Sequence, residues 1–295
     1  MSRADDTAAR RFLRWSLRGA LAAVVLAYPT AIAYLMANEV SLVFVPPQTT
    51  PAVPPALAAG LEQLPRSLPD GARGRLWVLR QPATPQAPWA VYLHGNGATV
   101  GASVNVERYQ HLRDLGLQVV APEYPGYGGL PGVPSEQGLV AAARDAYAWL
   151  RSQGVAPTRI VIYGWSLGSG LATALASEVD ERAVILEGAF TGVDDRAAEL
   201  YPWLPIRLMI RTRFASRDRI GAIGSPLLLL HAADDTIVPY AHGQRLLTLA
   251  REPKTLVTLT GGHVHPNRAD AARYLAAIRT FLATSLGSDA PAASR

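Results

Sequence analysis

The stretch VIYGWSLGSG, residues 161–170, places a serine between two glycines at the point where a strand pattern ends and a helix pattern begins. Val161 and Ile162 are β-branched and predict the end of a buried strand, whereas the apolar spacing from Leu167 onward predicts a helix. Ser166 therefore lies on the predicted turn between them. A G-x-S-x-G sequence on such a turn exposes a serine hydroxyl to a base, and its glycines relieve crowding around the strained serine. Glycine and serine are also common in ordinary turns, so the interpretation depends on partners for Ser166 elsewhere in the chain.

Short apolar runs alternate with helical patterns on both sides of this stretch. Most of the runs are apolar throughout, which is typical of strands buried on both faces of a parallel sheet. The predicted strands are Leu76–Leu79, Ala90–Leu93, Val119–Pro122, Ile160–Tyr163, Ala183–Leu186, Leu227–Leu230 and Leu256–Leu259. The predicted helices are Val104–Leu115, Glu136–Gln153, Leu167–Val179, Val193–Leu200, His242–Ala250 and Arg268–Leu282. This order predicts an α/β fold with a mostly parallel central sheet and helices on both faces.

Composition excludes several classes of chemistry. The 295 residues include no cysteine, which rules out a cysteine nucleophile, thiolate metal sites and disulfides. The formal net charge is +5, but five arginines and two aspartates fall within residues 1–18, so the remainder is close to neutral. A nucleic-acid partner is therefore not expected.

Residues 19–38 are twenty residues without a charge, preceded by Arg10, Arg11, Arg14 and Arg18. A helix of this length reaches about 30 Å, the thickness of a bilayer core. The pattern predicts a single transmembrane anchor with the N-terminus in the cytoplasm and the catalytic domain on the outer, periplasmic side. Two alternatives are a cleaved signal peptide, with Ala31 and Ala33 at its cleavage site, and a buried helix of a soluble protein.

The sequence divides into five predicted segments. Residues 1–18 form a basic tail, 19–38 the transmembrane anchor and 39–56 a proline-rich linker. Residues 57–284 form the catalytic domain, and 285–295 form a flexible C-terminal tail.

A glycine-rich loop, His94-Gly95-Asn96-Gly97, follows the second predicted strand. Active sites of open α/β sheets lie at the carboxyl ends of strands. Attack by a serine on a carbonyl carbon needs two N–H donors for the developing oxyanion, and the backbone N–H of Leu167 is one candidate. The other is the N–H of Asn96 or Gly97. His94 is interpreted as a structural residue that braces the loop.

Acidic and histidine residues follow the last two predicted strands. LLLLHAADDTIVP, 227–239, ends in Asp234 and Asp235, and either carboxylate could orient a histidine. TLTGGHVHPN, 258–267, offers His263 and His265 as the base. The same four side chains could bind a metal, but no further cluster has metal-ligand spacing, so no metal or other cofactor is expected.

Together these motifs resemble the α/β-hydrolase superfamily over about Val40–Leu282. The segments that carry the resemblance are LVFVPP, HGNG, EYPGYGGLPGVPSE, GWSLGSG, HAADDTIVP and GGHVH. They are most similar to a membrane-anchored single-pass branch that includes protein depalmitoylases and bacterial relatives. The resemblance implies Ser166 as nucleophile, Asp235 as acid and His263 as base. Ala232 departs from this pattern, in which glycine is usual.

The expected function is a serine hydrolase that cleaves esters or thioesters through an acyl-enzyme. The alternatives are a membrane-tethered binding protein without catalysis and an acyltransferase. The expected partners are a small-molecule, lipid or acylated substrate and a membrane, and no oligomer signal is visible.

Residues 187–226 leave room for a small cover over the site but not for a large lid domain. Their centre, YPWLPIRLMIRTRF, is interpreted as a helix with its apolar face on the core, and the alternative is a surface for anionic headgroups. An open site near a bilayer predicts a preference for medium or long acyl chains.

Overall fold

A mixed eight-stranded sheet forms the centre of the molecule. The computed structural model describes residues 3–58, 60–69 and 71–287. The strands are β1 Leu61–Ser67, β2 Arg73–Leu79, β3 Trp89–Leu93, β4 Gln118–Glu123, β5 Ile160–Trp165, β6 Ala183–Glu187, β7 Leu227–Ala232 and β8 Lys254–Leu259. They lie in the order β1-β2-β4-β3-β5-β6-β7-β8. β2 pairs antiparallel with β1 and β4, and all other neighbours pair parallel.

The structure has helices on both faces of this sheet and at the N-terminus. They are α1 Arg3–Ala37, α2 Glu39–Val43, α3 Pro55–Ala58, α4 Ser103–Asp114, α5 Glu136–Ser152, α6 Leu167–Ala176, α7 Val193–Leu200, α8 Ile206–Met209, α9 Ser216–Arg219, α10 Tyr240–Leu249, α11 Pro266–Ala269 and α12 Ala271–Leu286. Successive side chains of the central strands enter two separate buried clusters, so Ile162 packs on one face and Val161 on the other. Burial on both faces explains why these strands are apolar throughout.

All seven predicted strands form, and the structure adds one that the sequence patterns missed. β1 contains Glu62, Pro65 and Arg66, lies at the edge of the sheet, and has only half-buried and exposed side chains. Proline is tolerated in an edge strand because its missing N–H would face solvent. β1 and β2 make the sheet mixed rather than purely parallel.

The prediction of a transmembrane anchor over 19–38 is wrong. Among the residues that the structure describes, no helix combines the length and the apolar character that a membrane crossing requires. The uncharged stretch is the second half of α1, which begins at Arg3 and contains Pro29. Tyr28 in that half donates its hydroxyl proton to the carbonyl of Trp203 at 2.9 Å, so the helix contacts the domain formed around the sheet. The predicted localisation, a single-pass membrane protein with its catalytic domain outside, depended on the anchor and is wrong for the same reason.

The segment predicted as a linker, 39–56, runs along the domain. Phe44 is buried and packs edge-on against Phe214, with ring centroids 6.1 Å apart. The carbonyl of Pro47 accepts the N–H of Gly128 at 2.8 Å. The five segment boundaries stay predictions, and residues 288–295 of the predicted tail lie outside the described residues.

Candidate active site

Ser166 lies on a sharp turn between the end of β5 and the start of α6. Its backbone has φ 53° and ψ −121°, a conformation that costs a non-glycine residue about 1–3 kcal/mol. The N–H of Ser166 donates to the carbonyl of Glu187 at 2.9 Å, which ties the turn to the end of β6. The turn therefore presents the serine side chain at the carboxyl edge of the sheet.

The glycines on either side of Ser166 are required by close backbone packing. A Cβ atom on Gly164 would lie 2.3 Å from the carbonyl oxygen of Gly168. A Cβ atom on Gly168 would lie 2.0 Å from the carbonyl oxygen of Leu93. Because these neighbours are backbone atoms, they cannot move aside as a flexible side chain does. The G-x-S-x-G pattern is thus the condition for α6 to approach β3 and β5.

Gly168→Ala is expected to lower the free energy of unfolding by about 3 kcal/mol, because the added methyl group overpacks this contact. Gly224→Ala is the matched control, since Gly224 is exposed and a Cβ atom there meets nothing within 4 Å. Its stability should change by no more than about 0.5 kcal/mol. Urea unfolding followed by circular dichroism measures both variants. The packing argument is wrong if Gly168→Ala unfolds at the wild-type midpoint.

The structure brings Ser166, His263 and Asp235 together in one hydrogen-bonded row. His263 Nε2 lies 2.7 Å from Ser166 Oγ, and His263 Nδ1 lies 2.7 Å from Asp235 Oδ2. The side chains of His263 and Asp235 are only 7% and 1% exposed. His265, the other candidate base, is exposed at the start of α11 and does not join the row. Across the described ranges, no three His, Asp or Glu side chains are grouped to hold a metal ion.

Asp235 is held as a carboxylate by the groups around it. Its Oδ1 atom accepts the N–H groups of Ile237 and Val238 at 2.9 and 2.8 Å. Burial alone would raise the pKa of Asp235. Other interactions outweigh burial and hold that pKa well below its usual range. They are hydrogen bonds from His231 and His263, the charge of His263 and the hydrogen bond from the Val238 N–H. An ionised carboxylate at this position favours the tautomer of His263 with the proton on Nδ1, which leaves Nε2 free to accept the serine proton.

Asp234 has a different position and makes different contacts. Its Oδ1 atom accepts the N–H groups of Gly261 and Gly262, each at 3.1 Å. These two backbone hydrogen bonds lower the pKa of Asp234, and the bond from Gly262 has the larger effect. Asp234 therefore ties down the loop that carries His263, but its carboxylate does not contact the imidazole.

The two predicted oxyanion donors lie beside Ser166. Leu167 is the first residue of α6, so its N–H has no acceptor within the helix. In the described part of the chain, neither this N–H nor that of Asn96 donates to a protein acceptor. The N–H of Gly97 instead faces Asn96 Oδ1 at 3.2 Å, which favours Asn96 over Gly97 as the second donor.

His94 lies behind this loop and does not join the row. Its ring is fully buried, with Nε2 3.1 Å from Glu123 Oε1 and Nδ1 3.0 Å from the carbonyl of Gly95. The ring also stacks on Tyr124, with centroids 3.9 Å apart. These contacts fit the interpretation of His94 as a brace for the loop.

A buried ion pair supports the site from behind, and sequence reasoning missed it. Arg108 Nε donates to Glu187 Oε2 at 2.9 Å, and another of its nitrogens donates to the carbonyl of Val264 at 3.1 Å. Burial alone would raise the pKa of Glu187, but the charge and hydrogen bonds of Arg108 help to hold it below its usual value. Trp165 Nε1 donates to the carbonyl of His263 at 3.3 Å. The backbone at 263–264 is thus fixed by side chains that are distant in sequence.

Ser166 opens into an apolar cavity of about 450 Å³. Asn96 and Leu167 line the cavity beside the serine. The other walls come from the region after β6, from the loop after β7 and from the N-terminal helices. They include Phe190, Val193, Leu200, Ile206, Met209, Ile210, Ile237 and Val238, together with Leu35, Met36, Glu39, Leu42 and Val43. The sequence analysis did not predict that residues 35–43 line the cavity. The mostly apolar run from Val40 to Val45 is a signal that this segment packs against the domain.

Sequence comparison agrees with this architecture. The family model described as the alpha/beta hydrolase family matches residues 90–220. The uncharacterized protein Rv2307c of Mycobacterium tuberculosis strain H37Rv is 35% identical over 265 residues, which covers 89% of this chain and 93% of that protein. The similarity to this relative therefore extends over most of the chain and is not confined to the motifs.

Two further similarities concern named hydrolases. The lysophosphatidylserine lipase ABHD12 of Danio rerio is 37% identical over 187 residues, which covers 57% of this chain and 49% of the lipase. The esterase Pf2001 of Pyrococcus furiosus has a TM-score of 0.69 at 18% identity, over 82% of this chain and all but 1% of the esterase, and shows a shared fold. With its sheet order, its strand-to-helix serine turn and these relatives, the chain belongs to the α/β-hydrolase superfamily.

Proposed function

We propose that this hydrolase is a serine esterase or thioesterase that acts on substrates with an acyl chain. One observation carries the proposal: the hydrogen-bonded row of Ser166, His263 and Asp235 ends at an apolar cavity of about 450 Å³. The row supports nucleophilic catalysis, and the cavity supports an apolar group on the substrate. The ABHD12 relatives are named lysophosphatidylserine lipases, which supports a lipid ester as the bond that is cleaved.

In the first half of the reaction, Ser166 Oγ attacks the carbonyl carbon of the ester. His263 Nε2 takes the serine proton, and Asp235 stabilises the resulting imidazolium. The carbonyl oxygen becomes an oxyanion between the N–H groups of Asn96 and Leu167. When the tetrahedral intermediate collapses, the C–O bond to the leaving group breaks, and His263 gives its proton to the departing alcohol or thiol.

In the second half, water resolves the acyl-enzyme. His263 takes a proton from the water, and the hydroxide attacks the acyl carbon through a second oxyanion. Collapse returns the proton to Ser166 Oγ and releases the carboxylic acid. An acyltransferase would use an alcohol in place of water, so analysis of the products with added alcohol acceptors separates the two reactions.

The cavity predicts a preference for long acyl chains. Each buried methylene contributes about 0.8 kcal/mol, which corresponds to roughly a fourfold gain in kcat/KM per methylene until the cavity is full. A p-nitrophenyl ester series from acetate to palmitate, assayed on the full chain, measures this. If kcat/KM is highest on acetate and falls beyond butyrate, the acyl-chain proposal is wrong and the enzyme is a hydrolase of small esters. No turnover on any ester would favour a binding protein without catalysis.

A further inference from the structure

One side of the cavity comes from a segment that precedes the predicted catalytic domain. We call residues 35–43, the last turn of α1 together with α2, the N-terminal wall. Leu35 and Met36 lie at its start, and Leu42 and Val43 lie at its end. Asn38, between the two helices, continues the helical hydrogen bonding by donating its N–H to the carbonyl of Tyr34 at 3.0 Å. The wall is therefore a nearly continuous helical surface rather than a loose connection.

The end of the N-terminal wall is held at the oxyanion loop by the side chain of Asn96. Asn96 Nδ2 donates to the carbonyl of Val43 at 2.7 Å, and Asn96 Oδ1 accepts the N–H of Val45 at 2.9 Å. Tyr127 also donates its hydroxyl proton to Asn96 Oδ1 at 2.8 Å. Val43 thus lies at the reacting end of the cavity.

The middle of the N-terminal wall is held to the opposite side by Glu39. Its Oε1 atom accepts the N–H groups of Arg211 and Thr212 at 3.0 and 2.7 Å. Glu136 accepts the next two N–H groups, those of Arg213 and Phe214, at 2.8 and 2.9 Å. Two carboxylates therefore fix residues 211–214, which follow directly on the cavity-lining residues of α8. Glu39 therefore ties the N-terminal wall to the backbone that follows α8.

Leu35 and Met36 line the cavity at the end of the N-terminal wall that is opposite to Val43. Seven residues separate Met36 from Val43, which is about 10 Å along a helix axis. Since Val43 is tied to Asn96, an acyl chain that starts at Ser166 and follows the wall meets Leu42 first and Leu35 last. Side chains at the far end contact only long chains.

We propose that the N-terminal wall determines which acyl lengths the enzyme accepts, with Leu35 as the residue that limits the long end and Glu39 as the residue that sets the width. This inference rests on the proposed function, because it assigns the cavity to the acyl group of an ester. It places specificity in residues 35–43, outside the segment that carries the catalytic motifs.

The first test shortens the cavity. Leu35→Trp introduces an indole where about three methylenes of a long chain would lie, so kcat/KM on p-nitrophenyl palmitate should fall roughly 50-fold. The value on p-nitrophenyl butyrate should stay within about threefold, because a short chain does not reach that end. Tyr34→Trp is the matched control, since Tyr34 is 64% exposed on the same turn and does not line the cavity.

The second test loosens the tie across the cavity. Glu39→Ala removes the acceptor of the two N–H groups, whereas Glu39→Gln keeps an oxygen at the same place. Glu39→Ala should therefore flatten the dependence of kcat/KM on chain length, and Glu39→Gln should retain most of it. The butyrate rate in both variants reports whether the catalytic row is intact.

The outcomes separate this inference from the proposed function. If the wild type hydrolyses no ester of any length, the proposed function fails. If the wild type prefers long chains and Leu35→Trp has the same chain-length profile, the proposed function stands and the inference is overturned. A uniform loss on all chain lengths in Leu35→Trp would also overturn it, because it would indicate a structural role only.

Discussion

Replacing Ser166 by alanine is expected to lower kcat on a p-nitrophenyl ester by about 10⁶-fold, the scale of loss when a serine nucleophile is removed. The reason is geometric: Ser166 Oγ lies 2.7 Å from His263 Nε2. Alanine keeps the Cβ atom and the backbone conformation of the turn, so the fold should be unchanged. Labelling of the full chain with a fluorophosphonate probe is the second measurement, and the variant should not be labelled.

Ser169→Ala provides the matched control for this experiment. Ser169 lies one turn further along α6 and is fully buried, and its hydroxyl has no partner among the described residues. Its removal should leave kcat within about tenfold of the wild type, because the loss of an unpaired buried hydroxyl leaves no other group unsatisfied. Equal labelling of the wild type and Ser166→Ala would rule out Ser166 as the nucleophile.

The central sheet was predictable because its strands obey a local rule. A strand buried on both faces is apolar at nearly every position, so runs such as Leu227–Leu230 can be recognised as strands from the sequence alone. β1 does not obey that rule, because it lies at the edge of the sheet and its side chains are half-buried or exposed. The uncharged stretch in α1 misled for a different reason. It carries no charge, but no helix among the described residues is long and apolar enough for a membrane crossing.

The candidate site was predictable to the extent that its residues follow strands. Ser166, Asp235 and His263 come directly after β5, β7 and β8, and parallel strands bring their carboxyl ends to one edge. Arg108 and Glu39 have no such local signal. Arg108 forms hydrogen bonds with residues 187 and 264, and Glu39 forms them with residues 211 and 212. Both interactions join residues that are distant in sequence, so they depend on tertiary packing.

The choice between the two adjacent aspartates gives a second large expected effect. Asp235→Asn should lower kcat by about 10⁴-fold, which is the loss expected when the acid of such a row becomes an amide. The asparagine oxygen can still accept the N–H groups of Ile237 and Val238. Its amide NH₂ then faces His263 Nδ1 and forces that nitrogen to accept. The imidazole proton moves to Nε2, so His263 can no longer take the proton of Ser166.

Asp234→Asn is the matched control, because it changes the neighbouring residue in the same way. An asparagine oxygen at 234 can still accept from Gly261 and Gly262, so the loop that carries His263 should keep its place, and kcat should fall by less than about tenfold. Steady-state kinetics on one long-chain ester measures both variants, and circular dichroism verifies their folding. A large loss in Asp234→Asn beside a small loss in Asp235→Asn would reverse the assignment. Because the pKa of Asp235 is held well below its usual range, the wild-type carboxylate is ionised at neutral pH, and the difference between the variants reports charge and tautomer rather than partial protonation.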